Sequence, residues 1–250
     1  INGTGVNVIN NTINYSARNG IISSFSYNQI INNTVIYSGL TGGDYNAILV
    51  RYGGSYNNIT GNTVRYALAN DGIKTFNPNT IIMNNNVSNV TAGAIVLWSS
   101  TALSGAGSNG SVISGNYIYY SSSGIDSQGG SYLNISNNTI FNVTNGIILQ
   151  SGVSSNLLVN NPISNAGKGI SDISGIETNN TLIYNSNQIK NAWISFLAVF
   201  PAVYENNILY VPSNIKALSE YNYNITIPNN YVANKYPNTN NGDCKRLYTL

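Results

Sequence analysis

Short apolar segments alternate with polar turns along most of the chain, and the alternation repeats. The unit is an aliphatic residue, two further residues, an Asn, one more residue and a second aliphatic residue, as in Ile59, Asn62 and Val64. Because side chains on a strand alternate between its two faces, this unit predicts two short strands that flank a tight bend. The Asn-x-aliphatic pairs are Asn11/Ile13, Asn33/Val35, Asn62/Val64, Asn85/Val87, Asn116/Ile118, Asn138/Ile140, Asn161/Ile163, Asn187/Ile189, Asn207/Leu209 and Asn230/Val232.

A second bend is predicted eight to ten residues after each early Asn, where a small residue precedes an Ile, as in Gly72-Ile73 and Gly124-Ile125. Glycine at this place is expected to supply a positive φ. Most units are about 22 residues long, and the two longer ones contain insertions rich in Gly and Ser. Such a repeat predicts coils stacked about 4.8 Å apart, with the inward aliphatic residues above one another. Stacked Asn side chains can form a hydrogen-bonded ladder.

The predicted fold is therefore all-β: a single-stranded right-handed parallel β-helix (a solenoid) of about ten coils over residues 1–235, with a C-terminal tail or linker at 236–250. A helical solenoid would need 3.6-residue periodicity and strong helix formers. Leucine-rich repeats share the period but need Leu at fixed positions, and a β-sandwich would need hairpin turns. The chain has β-branched residues, Asn and Gly instead.

With these motifs the chain resembles the right-handed parallel β-helix repeat proteins. Within them it is most similar to the pectate-lyase-like superfamily and its periplasmic-type branch of Asn/Gly/Ile repeats. The resemblance covers about residues 6–232 and implies a fold, whereas the motif carries little information about function. Pectate-lyase-type members bind Ca²⁺ through clustered carboxylates and use an Arg or Lys as base. The scattered acids of this chain depart from that pattern.

The composition narrows the function classes. Only 7% of residues are charged, His is absent, Cys244 is the only cysteine, and 47 Asn and 19 Tyr supply much of the polarity. A net charge of +2 with no basic block gives no reason to expect a nucleic-acid partner, and the longest apolar run, residues 192–203, is too short to span a bilayer. With its low charge, absence of His and many sequons, the chain resembles surface proteins of thermoacidophilic archaea, which predicts an extracellular or cell-surface location.

Thirteen Asn-X-Ser/Thr sequons are candidate glycosylation sites. They begin at Asn2, Asn10, Asn14, Asn32, Asn58, Asn86, Asn89, Asn109, Asn134, Asn137, Asn142, Asn179 and Asn224.

Two rows of outward positions follow the second bend, two and four residues after the small residue. They combine aromatic, cationic, carboxylate and amide groups, a mixture typical of sugar-binding surfaces. The competing interpretation is an ordinary solvated sheet face. The candidate glycan-binding residues are Arg51, Lys74, Phe76, Trp98, Asp126, Gln128 and Gln150.

Catalysis has weaker support. The chain has eight carboxylates, and none is predicted to stack with another on an adjacent coil, whereas a glycoside hydrolase uses a pair of carboxylates about 5–9.5 Å apart. No catalytic residue, metal site or cofactor is predicted.

The apolar run at 192–203 predicts either a buried strand or a surface for self-association carried by Trp193, Phe196 and Phe200. The favoured hypothesis is an extracellular or cell-surface structural glycoprotein whose copies assemble with one another into a filament or lattice. The alternatives are a polysaccharide lyase or glycoside hydrolase, and a glycan-binding adhesin or virion spike.

Overall fold

The computed structural model describes residues 1–51, 53–99, 107–150 and 153–172, and beyond them the backbone of short strands. Every described element is a strand, and neighbouring coils pair in parallel. The predicted parallel β-helix is confirmed, with seven coils up to residue 172.

Each coil contributes its first strand to one ten-stranded sheet. These strands are β1 (Asn7–Ile9), β4 (Gln29–Ile31), β7 (Asn58–Thr60), β10 (Ile81–Met83), β12 (Val112–Ser114), β14 (Asn134–Ser136), β16 (Leu157–Val159), β18 (Thr181–Ile183), β21 (Ala202–Glu205) and β24 (Ile225–Thr226).

The rest of each coil lies in a second sheet. Its strands are β2 (Thr12–Ser16), β3 (Ile21–Ser23), β5 (Thr34–Ser38), β6 (Ile48–Val50), β8 (Thr63–Ala67), β9 (Ile73–Thr75), β11 (Asn86–Leu97), β13 (Tyr117–Ser127), β15 (Thr139–Leu149), β17 (Pro162–Asp172), β19 (Ser186–Gln188), β20 (Ile194–Phe196), β22 (Ile208–Val211), β23 (Leu218–Ser219), β25 (Tyr231–Asn234) and β26 (Cys244–Arg246). The last of these pairs antiparallel with β25, within the region predicted as a tail.

Three rows of aliphatic side chains run through the interior and form the core. The register places Val35 beside Val64 and Ile48 beside Ile73, so equivalent residues of successive coils are neighbours. Each of these residues is fully buried, and burial of one such side chain contributes about 1.5–3 kcal/mol. The rows are Ile30, Ile59, Ile82, Ile113, Ile135 and Leu158; Val35, Val64, Val87, Ile118, Ile140 and Ile163; and Ile48, Ile73, Ile95, Ile125, Ile147 and Ile170.

The predicted Asn ladder is confirmed from Asn11 to Asn161. The backbone N–H and the side-chain Nδ2 of Asn62 both donate to Oδ1 of Asn85, at 2.8 and 3.0 Å, and the same pair of bonds joins Asn85 to Asn116 at 2.9 and 3.0 Å. The ladder residues themselves do not adopt the left-handed conformation. That conformation belongs to the residue before each of them, such as Asn32 with φ 53°.

The expectation of a positive φ at Gly before Ile is wrong. Neither Gly72 nor Gly124 has a positive φ. The position needs a small residue because the neighbouring coil is too close: a Cβ on Gly72 would lie 2.6 Å from the carbonyl oxygen of Ala94 and 2.7 Å from Cγ1 of Val87.

Candidate functional site

The second bend carries a shorter ladder, in which a carboxylate replaces an amide. The backbone N–H of Asn46 donates to Oδ1 of Asn19 at 2.7 Å, and the N–H of Asp71 donates to Oδ1 of Asn46 at 3.2 Å. In the next coil, the N–H of Gly93 donates to Oδ1 of Asp71 at 3.0 Å. Asp71 therefore keeps the ladder geometry of an Asn but adds a buried negative charge.

Lys74 lies beside that charge, three residues further along the chain in β9. Its side chain is 5% exposed, and its Nζ lies 3.2 Å from Oδ2 of Asp71 and 3.2 Å from Oδ1 of Asp44. Asp44 is 70% exposed, so it forms the solvent side of the ion pair. The ammonium also lies 4.7 Å from the ring centroid of Trp98 and 5.7 Å from that of Phe76, within the range of cation–π attraction.

Asp126 lies two strands further along the same row. The register pairs Lys74 with Val96 and Val96 with Asp126, which corresponds to about 9.6 Å along the axis. Its Oδ2 accepts a bond from Gln128 Nε2 at 2.6 Å, and Gln150 Nε2 donates to Oδ1 at 2.8 Å. The two amides hold the carboxylate in one orientation.

Burial raises the pKa of both carboxyl groups above the ordinary value of 3.8. For Asp71, the charge of Lys74 and the Gly93 N–H oppose this rise but do not cancel it. For Asp126, hydrogen bonds from Gln128 and Gln150 oppose it, again incompletely.

These groups line a depression of about 320 Å³, the Trp98 depression. Its lining residues are Asp44, Asn70, Asp71, Lys74, Ala92, Gly93, Trp98, Ser122, Ser123, Asp126 and Gln128. Four of the seven predicted glycan-binding residues lie in this lining: Lys74, Trp98, Asp126 and Gln128. Gln150 and Phe76 contact two of them, Asp126 and Lys74, whereas Arg51 is exposed and outside it.

The structure differs from the competing interpretation, an ordinary solvated sheet face, in one respect. Lys74 and Asp126 are only 4% and 6% exposed. Asp71, Asp44 and two aromatic rings surround the ammonium of Lys74, and the amides of Gln128 and Gln150 cover the carboxylate of Asp126. The result is a concave groove rather than an open face.

Of the acids that the sequence analysis describes as scattered, Asp44, Asp71 and Asp126 line one depression. Asp44 lies in an insertion, so its place relative to the repeat could not be assigned. Asp71 could have been found by its alignment with Asn46, since both precede the small residue by one position. Within the described ranges, no group of three or more His, Cys, Asp or Glu residues is arranged to hold a metal ion.

The sequons have varied exposure. Among the described residues, those whose Asn is exposed are Asn2, Asn10, Asn14, Asn32, Asn134 and Asn137, and those half-buried are Asn58, Asn86, Asn89, Asn109 and Asn142. Asn179 and Asn224 lie outside the described residues. So do the predicted assembly residues Trp193 and Phe200, while Phe196 ends β20. Among the residues that the structure describes, no membrane-spanning helix is found.

Comparison with known proteins supports the architecture. A family model described as "Right handed beta helix region" matches residues 46–200, more than half of the chain. Among solved structures, a mutant tailspike protein of E. coli bacteriophage HK620, in complex with a pentasaccharide, is similar with a TM-score of 0.53 and 8% identity. The match covers 88% of this chain and 52% of the tailspike chain, so this chain spans about half the length of that structure. No curated protein matches the sequence.

Proposed function

Since this chain belongs to the right-handed β-helix family, we propose that its coils form a rigid scaffold that binds a glycan in the Trp98 depression, as an adhesin or a spike protein would. Strands fix the position of a side chain more closely than loops do, so a site built on stacked strands is preorganised for binding. The similar tailspike structure contains a bound pentasaccharide, which is consistent with this use of the fold.

The observation that carries the proposal is the grouping of Trp98, a buried cation and three carboxylates in one depression. An indole ring offers an apolar face to sugar C–H groups, and carboxylate and amide oxygens accept bonds from sugar hydroxyls. Small-molecule sites commonly combine an aromatic lining with a few convergent polar groups.

Binding fits these carboxylates better than hydrolysis does. Asp71 accepts a bond from Gly93 at one oxygen and contacts Lys74 at the other, and Asp126 is held by two glutamines. The two acids lie two coils apart, about 9.6 Å along the axis, which is well beyond the separation of about 5–5.5 Å in retaining glycosidases and at the upper end of the inverting range.

The test is a glycan array followed by calorimetric titration of the oligosaccharides that bind. We expect Trp98→Ala to weaken binding by about tenfold or more, since an aromatic anchor at the centre of a site contributes about 2 kcal/mol or more and 1.4 kcal/mol corresponds to tenfold. Tyr117→Ala is the matched control, because Tyr117 is an exposed aromatic residue of β13 outside the depression. Circular dichroism of both variants checks that the coils remain folded. Equal affinities of the two variants, or a wild-type chain that binds no glycan, would contradict the proposal.

An extracellular location and self-assembly remain proposals of their own. Electron microscopy of the purified chain tests assembly: filaments or lattices lost in a Phe196→Ser variant support it, and a monomer at all concentrations contradicts it.

A further inference from the structure

A second depression adjoins the Trp98 depression. It has a volume of about 620 Å³ and is lined by Val90, Thr91, Tyr120, Ser121, Ser122, Asn142, Val143, Thr144 and Asn165. Ser122 lines both depressions, and Ser121 and Ser123, on either side of it, line one each. The two depressions therefore adjoin at Ser122, and their lining residues together extend from the third coil to the seventh. We call the second part the Tyr120 depression.

The Tyr120 depression has a different chemistry from its neighbour. Its lining contains hydroxyl and amide groups but no charged side chain. Such groups both donate and accept hydrogen bonds, as sugar hydroxyls do. A surface of this composition suits uncharged sugar units and gives an anionic group no counter-charge.

Tyr120 is placed so that its ring is available for stacking. It belongs to a row of residues on the second sheet whose backbone adopts the left-handed conformation, and its own φ is 54°. In the first three coils this row is a continuous stack, in which the rings of Tyr15 and Tyr37 lie 5.0 Å apart and those of Tyr37 and Tyr66 lie 4.7 Å apart. In the coils before and after Tyr120 the row holds Asn89 and Asn142 instead.

The break in the stack has a physical consequence. No tyrosine covers Tyr120 from the adjacent coils, and the residue is 55% exposed. Its ring contacts are with Tyr119 at 5.5 Å in an edge arrangement and with Phe141 at 6.5 Å, tilted. Neither contact is a parallel stack, and the exposed ring lines the depression, where a sugar can reach it.

We infer that the ligand is an oligosaccharide long enough to fill both depressions, with uncharged units against Tyr120. This inference rests on the proposed function, because it assigns the groove beside Tyr120 to the same ligand. It also conflicts with one predicted modification: a glycan attached at Asn142 would occupy the Tyr120 depression. The test therefore uses protein made in a bacterial host without N-glycosylation.

The experiment is a calorimetric titration with oligosaccharides of increasing length, built from the glycan found on the array. Wild-type affinity is expected to rise with length. Tyr120→Asn is expected to lower affinity for the long members at least about fivefold while leaving the shortest binding member unchanged. Asn suits this position because Asn89 and Asn142 occupy it in neighbouring coils with φ 53°. Tyr66→Asn is the matched control, in the same row with φ 57° and outside both depressions.

The outcomes separate the two proposals. If affinity does not depend on length, or if Tyr120→Asn and Tyr66→Asn have equal effects, the extended site is wrong, while a loss of binding in Trp98→Ala still supports the Trp98 depression. If no oligosaccharide of any length binds the wild-type chain, both proposals fail.

Discussion

The Lys74–Asp71 pair offers a direct test of how charge is held in this groove. The change is Lys74→Met, which keeps an unbranched side chain against Trp98 but removes the ammonium. Both members of the pair are nearly buried, at 5% and 6% side-chain exposure. Asp71 would keep its bond from Gly93 but lose its counter-charge.

Removal of one partner of a buried ion pair costs about 3–5 kcal/mol, since the other charge stays in a low-dielectric site. For a chain of this length, 1 kcal/mol corresponds to about 2–4 °C in Tm, so we expect a decrease of roughly 6–20 °C at neutral pH. Asp44 contributes little to this figure, because it is 70% exposed and screened by solvent. Thermal unfolding followed by circular dichroism measures the change.

The double variant Lys74→Met with Asp71→Asn separates charge from packing. An Asn at position 71 can accept the Gly93 N–H as the ladder requires, as Asn46 does for Asp71 one coil earlier. We expect the double variant to recover most of the lost stability. The reasoning is refuted if the single variant unfolds within about 2 °C of the wild type, or if the double variant is no more stable than the single one.

Three other predictions concern stability and modification. Asp71 and Asp126 bind a proton more tightly in the folded state than in the unfolded one, so the stability they contribute is fully present below pH 3.8 and is lost as pH rises through their raised folded pKa values. Urea unfolding from pH 3.5 to 7 should show this decrease in the free energy of unfolding, and Asp126→Asn should make the decrease smaller. An unchanged pH dependence in Asp126→Asn would contradict the assignment. Asn85→Ala should lower the free energy of unfolding by at least about 3 kcal/mol, since it leaves several buried ladder groups without partners. The control Asn11→Ala, at the exposed end of the ladder, should lower it clearly less. Similar urea midpoints for the two variants would argue against the ladder as a stabilising element. Peptide mapping by mass spectrometry of protein from a glycosylating host should find more glycan at exposed sequons such as Asn137 than at half-buried ones such as Asn58, and the reverse order would show that exposure does not govern occupancy.

The architecture could be predicted from local sequence because the β-helix repeats one small unit. Each coil meets only its neighbours, so a spacing of about 22 residues already places Ile118 beside Ile140 and Asn116 beside Asn138. The Asn ladder and the three inward rows follow from that spacing and from the alternation of side chains on a strand.

The backbone conformation of the bends was harder to predict. Several residue types tolerate the left-handed region, and the structure gives it to Tyr15, Tyr37 and Tyr66 as well as to Asn and Gly. The small residue before Ile is required by the distance to the next coil, which is a property of the stack and not of the turn itself.

The repeat in the sequence is sufficient to predict the stacking of the coils and two outward rows, one with Lys74 and Asp126 and the other with Trp98. The depression around these residues, the ion pairs of Lys74 with Asp71 and Asp44, and the adjoining depression at Tyr120 arise only when the coils are folded. The repeat fixes register along the axis, whereas the curvature of the bend and the path of the insertion that carries Asp44 depend on packing between chain segments far apart in sequence.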